Sequence, residues 1–138
     1  TVGHLESARS LINDGSDLEF VPVLADAYRA LRRWKEVDRL WSEVREISPA
    51  PAILAETRIV AAGAAADRDD LNGAIATMGK VSPRPKKVRE HHVRQWYVLG
   101  DLHDRAGNTI EARRWFERAV AHDPAFADAA DRLRALGR

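Results

Sequence analysis

The amino-acid sequence predicts an all-α chain built from repeated pairs of antiparallel helices. Three observations carry the prediction. Apolar residues recur at helical spacing almost everywhere, breaks bearing glycine, asparagine or proline separate the periodic runs, and one pattern of spacings returns three times within the 138 residues. The bulk composition agrees, because 45% hydrophobic and 31% charged residues suffice for a packed core and argue against a disordered tail. A net charge of +1 supplies no global field that would select nucleic acid or an acidic partner. The lack of cysteine removes thiol catalysis, cysteine–zinc sites and any disulfide framework, and it fits a reducing, cytoplasmic setting. Apolar runs such as Ile59–Ala66 fall far short of a membrane span, and no charged-then-apolar signal opens the chain. The excess of arginine over lysine and the abundance of alanine point to a bacterial genome rich in G and C. A start at Thr1 without methionine points to a fragment of a longer protein.

The clearest element is the stretch from Val93 to Pro124. Trp96, Leu99, Gly100 and His103 lie at i, i+3, i+4 and i+7, one face of a helix. The run Arg105-Ala106-Gly107-Asn108 then breaks the pattern, since glycine followed by asparagine suits a helix C-terminus and turn. A second run contains Ala112, Trp115, Phe116, Ala119 and Val120, with Thr109 at its start and His122-Asp123-Pro124 at its end. Two such helices joined by a tight turn make an αα-hairpin. Gly100 and Ala112 are the small residues that let the helices approach, and Trp96 and Phe116 fill the space beside them.

This hairpin resembles the tetratricopeptide repeat, whose pattern sets Trp, Leu, Gly, an aromatic, Ala, an aromatic, Ala and Pro at fixed offsets in about 34 residues. With Val93 as the first position, Trp96, Leu99, Gly100, Ala112, Phe116, Ala119 and Pro124 take the matching places, while His103 replaces an aromatic. The same template, started at Leu18, is met by Leu24, Ala25, Tyr28, Val37, Trp41, Val44 and Pro49. Started at Ala55 it is met in size by Ala61, Ala62, Ala74, Met78 and Val81, without an aromatic anchor. The copies begin 37 and 38 residues apart, and the extra residues fall at Ser48–Pro51 and Ser82–Pro85, expected as loops.

Taken in order along one domain of residues 1–138, the expected elements begin with a partial repeat at 1–15, carrying Gly3, Leu5, Ala8 and Ile12 before the turn Asn13–Asp17. Repeat one spans 18–51, with Pro22 early in its first helix, where proline is tolerated. Trp34 is expected at the turn between its helices. A degenerate repeat two spans 55–85, with its turn at Asp67–Asp70, and repeat three spans 93–126. A capping helix at 125–136 carries Phe126, Ala130, Leu133 and Leu136 inward and Asp128, Asp131, Arg132 and Arg134 on its polar side. The resemblance implies a right-handed αα-hairpin superhelix of about eight helices.

It also implies a function, that of an interaction scaffold or adaptor binding a peptide or protein segment in a concave groove lined by the first helix of each repeat. The groove positions are Glu19, Asp26 and Arg29 in the first repeat, Glu56, Ile59, Gly63 and Ala66 in the second, and Arg94, Tyr97, Asp101, Asp104 and Arg105 in the third. Apolar in the middle and richer in acids than bases, such a groove fits a partner with apolar anchors flanked by lysine or arginine. The lysine- and asparagine-rich clamp of the chaperone-binding branch is missing, since Pro22, Asp26, Arg94 and Tyr97 stand at its offsets. Alternatives are an interaction module within a larger protein, or self-association through the end helices.

Other chemistry finds little support in the sequence. The segment Arg84–Arg94 carries five Lys or Arg against one Glu and could touch phosphates, but it lacks a stacking aromatic. It is expected as an exposed loop running into the next helix near Pro85, with Val88, His92, Trp96 and Leu99 as one helical stripe. His91 and His92 would point about 100° apart on a helix and so could not share one ion, and His103 is expected as a hydrogen-bonded packing residue. Asp67–Asp70 has Leu71 and Asn72 where a calcium loop needs an oxygen ligand and a glycine. No nucleophile with a partner base, phosphate loop or carboxylate pair is apparent, so neither enzymatic activity nor a cofactor or metal is expected.

Overall fold

The computed structural model describes residues 18–47 and 49–137. Among them it holds seven α-helices and no strand: α1 (Phe20–Ala30), α2 (Trp34–Ile47), α3 (Pro51–Asp67), α4 (Leu71–Met78), α5 (Glu90–Arg105), α6 (Thr109–His122) and α7 (Ala129–Leu136). The all-α hairpin architecture read from the spacing is what these residues adopt. The partial repeat expected at 1–15, and the turn that follows it, lie outside the described residues. The helices divide between Arg68 and Asp69 into two compact units.

In the first unit α1 and α2 form a hairpin and α3 packs against both. Val21, Ala25 and Tyr28, spaced by one helical turn, meet Val37, Leu40, Trp41 and Val44 of α2 and Val60, Ala61 and Ala64 of α3. Pro22 is the third residue of α1, where a backbone N–H would have no partner within the helix. The helix ends in a Schellman turn: Arg32 N–H donates to the Arg29 carbonyl and Arg33 N–H to that of Tyr28, both at 2.9 Å. Arg32 takes the left-handed conformation, with φ 59°, that this turn requires. Trp34 is the first residue of α2, and the guanidinium groups of Arg32 and Arg68 lie 5.5 and 5.3 Å from its ring.

In the second unit α5 and α6 form the corresponding hairpin, with α7 against α6 and α4 against α5. The α5–α6 turn repeats the Schellman bonds, Gly107 to Asp104 and Asn108 to His103, and here glycine itself holds the positive φ of 84°. Val93, Trp96, Ala112, Phe116, Ala119 and Ala129 form the core. Gly100 serves as expected, because a Cβ there would stand 2.8 Å from the Phe116 ring. Arg68–Asp70 is indeed a turn, and Asp70 caps α4 by accepting the Gly73 N–H at 2.9 Å.

Three expectations are corrected. Helix α5 begins at Glu90 rather than near Pro85, so Val88 is not part of its stripe. Pro83 and Pro85 disfavour helical conformations before them, and the Arg89 N–H is capped by His92 Nδ1 at 2.8 Å, which sets the helix start. Val81 and Val88 still pack on the core, from the loop. The last helix begins at Ala129 and not at 125. Pro124 opens a turn in which Asp123 accepts the Ala125 N–H at 3.2 Å and Ala127 adopts φ 46°. His103, finally, is only half-buried, and its Nδ1 lies 3.1 Å from the Asn108 amide nitrogen at the end of the helix.

Candidate functional site

Two helix faces carry the residues predicted to meet a partner, one in each unit. On the first, Glu19 and Asp26 are exposed and Arg29, Glu56, Ile59 and Gly63 are half-covered. The chain brings Arg29 of α1 onto α3: its Nε donates to Asp67 Oδ2 at 2.7 Å and its terminal nitrogen to Asp67 Oδ1 at 3.1 Å. This two-point pairing raises the Arg29 pKa, against the opposing effect of burial, and Asp26 adds to it. Gly63 makes the approach possible, since a Cβ there would stand only 2.3 Å from the Arg29 guanidinium. Ala66, also assigned to this face, is buried instead.

On the second face the predicted residues meet the chain's own last helix. Arg132 of α7 donates to Asp101 Oδ1 and to Asp104 Oδ2, each at 2.8 Å. Burial works to lower the Arg132 pKa, but its hydrogen bonds to Asp104, Asp101 and Tyr97 outweigh it and raise it. Arg105 also reaches Asp101, at 3.4 Å. Tyr97 donates to Asp128 at 2.5 Å, and its ring packs edgewise on Phe116 and Phe126, both 5.7 Å away. Burial, followed by the Asp128 carboxylate, raises the Tyr97 pKa. Arg94 is exposed. Arg132, expected on the solvent side of the terminal helix, therefore points inward, with its guanidinium also 5.0 Å from the Phe116 ring.

Sequence reasoning thus missed Asp67, Asp128 and Arg132 as members of these faces. The spacing of Asp128 and Arg132, one turn apart, placed them on one side of a helix but not on the side facing Asp101. The tryptophans play the packing roles expected: Trp96 and Trp41 are buried and Trp115 half-buried. The Trp96 Nε1 donates to the Ser82 carbonyl at 3.0 Å, and Trp41 carries Arg45 and Arg58 at 5.2 and 4.9 Å from its ring. Burial, then the neighbouring Arg45, lowers the Arg58 pKa. Among the described residues no helix is long and apolar enough to cross a membrane.

Helix pairs closed by three-residue turns, with small residues at their crossing and aromatics beside it, define the class as a helical-repeat protein. Residues 93–126 match the family model of the tetratricopeptide repeat, in the register read from the sequence. The segment of residues 93–126 therefore carries a tetratricopeptide repeat. That repeat supports a protein–protein interaction module in general, in a family whose fold is typically non-catalytic. No curated protein and no solved structure matches the chain.

Proposed function

We propose that the chain is a non-enzymatic scaffold or adaptor that binds a peptide or protein segment on the groove faces of its repeats, with the α1–α3 face as the principal contact. The observation that carries this reading is the difference in how the predicted residues are engaged. Asp101, Asp104 and Tyr97 are held by Arg132 and Asp128 of α7, whereas the α1–α3 face keeps Asp26 exposed beside half-covered Ile59 and Gly63. The partner segment would present basic side chains to Asp26 and apolar ones to Ile59. A bacterial, cytoplasmic setting fits the cysteine-free, arginine-rich composition.

The test is selection of ligands from a random peptide library, followed by affinity measurement on variants. Asp26→Lys and Ile59→Asp are each expected to weaken the selected peptides about tenfold or more, and Asp101→Asn to leave them nearly unchanged. Peptides that bind both α1–α3 variants as tightly as the original chain would move the site elsewhere. Self-association has its own supporting observation, because Phe20 and Val23 of α1 and Leu31 just past its end are 66%, 69% and 59% exposed. Light scattering at rising concentration reads it out.

A further inference from the structure

A second surface, separate from either helix face, lies where the basic loop meets α6. Arg84, Lys86, Lys87 and Arg89 are exposed, and among the described residues none of the four side chains pairs with a carboxylate. The loop that bears them is nevertheless held in place. Val81 and Val88 pack on the core, the Ser82 carbonyl accepts from Trp96 Nε1 at 3.0 Å, and the Arg89 N–H is bound by His92 at 2.8 Å. Pro83 and Pro85 stiffen the chain between these anchors. Cations fixed in this way lose less conformational entropy on binding than cations on a free tail.

Trp96 links the loop to an open cavity of about 450 Å³, lined by Trp96, Arg114, Glu117, Arg118, Ala121 and His122. Arg118 lies 5.2 Å from the Trp115 ring, and Arg114 pairs with Glu111 at 3.0 Å. The net charge of the chain is only +1, so this concentration of positive charge is local. Nucleic acid is the weaker match. Trp96 is 2% exposed and offers no stacking face, and the loop contains no aromatic residue on which a base could stack.

We propose that the loop of residues 80–89 and the adjoining cavity at Trp96 and Arg118 bind a carboxylate-rich segment of a protein partner. The experiment is fluorescence anisotropy on the full chain at low ionic strength. The probes are a short labelled oligoglutamate and an oligothymidylate of equal length. Oligoglutamate is expected to bind, and Lys86→Glu with Lys87→Glu to weaken it about tenfold or more. A control pair of the same charge change on another exposed surface, Arg33→Glu with Lys35→Glu, is expected to weaken it far less. Arg118→Ala is expected to give an intermediate loss, and circular dichroism verifies that each variant is folded. No binding of oligoglutamate, or equal weakening by the loop and control pairs, overturns the proposal. Tighter binding of oligothymidylate, lost in the loop variant, overturns the assignment to a protein segment. An unchanged affinity in Arg118→Ala removes the cavity from the surface.

Discussion

Helices α1 and α5 each open a hairpin, and each is latched to another helix by a forked ion pair of opposite polarity. On α1 the cation is Arg29 and the acid, Asp67, belongs to α3. On α5 the acids are Asp101 and Asp104 and the cation, Arg132, belongs to α7. The consequences differ. A single guanidinium occupies both acids of α5, so that face is closed by the chain itself. Arg29 needs only Asp67, rests on the bare backbone at Gly63, and leaves Asp26 outward. Two helices that each open a hairpin thus present different chemistry, because the residue that answers them comes from elsewhere in the chain.

The largest effect is expected at the hinge of the second face. Phe116 is fully buried, touched by Gly100, Tyr97 and Arg132. Phe116→Ala should cost about 3–5 kcal/mol in denaturant unfolding, with Arg132 losing the ring it lies against. A loss below about 1 kcal/mol would mean that α7 is held by its ion pairs rather than by packing.

A matched pair of glycine substitutions sharpens the comparison. Gly100→Ala forces a Cβ to 2.8 Å from a core aromatic ring and should cost about 1–3 kcal/mol. Gly63→Ala meets only the mobile end of Arg29. There the gain in helix propensity, about 1 kcal/mol, should roughly offset the lost ion pair. Thermal melts of the two variants should therefore separate clearly, and equal destabilisation would make the Arg29 latch a structural strut rather than part of an open face.

The smallest effect is a pH dependence confined to the second unit. Burial, then His91 and Arg89, lower the His92 pKa from its ordinary 6.5, and the neutral ring is the form that accepts the Arg89 N–H. The unfolded chain takes up this proton first as pH falls. Stability from this group is present above about 6.5, declines between that value and the lowered folded one, and is level below it. The melting temperature of the chain should fall more on going from about pH 7.5 to pH 5.5 than that of His92→Gln, which keeps an acceptor in place; identical shifts would deny His92 the capping role.

The hairpin of residues 93–126 was legible because its features are short-range. Gly100, Ala112 and Phe116 are read from spacing alone, and the Gly107-Asn108 break marks the turn. The equivalent turn at Arg32 carries no glycine and was found only by register, since the left-handed residue is an arginine there. The start of α5 was misplaced because helical periodicity at Val88 and His92 ran on past the point where helix formation stops, and the cap that sets the boundary is a histidine ring, not a serine or aspartate.

What the sequence alone determined is the all-α class of fold, the hairpins α1–α2 and α5–α6, and the packing of Gly100 against Phe116, because helix period and turn chemistry are properties of adjacent residues. Which charges are engaged within the chain was decided only by the tertiary structure. Arg29 and Asp67 are 38 residues apart and Asp101 and Arg132 are 31 apart, and nothing in the spacing of one helix reveals which side chain of another will come within hydrogen-bonding distance of it.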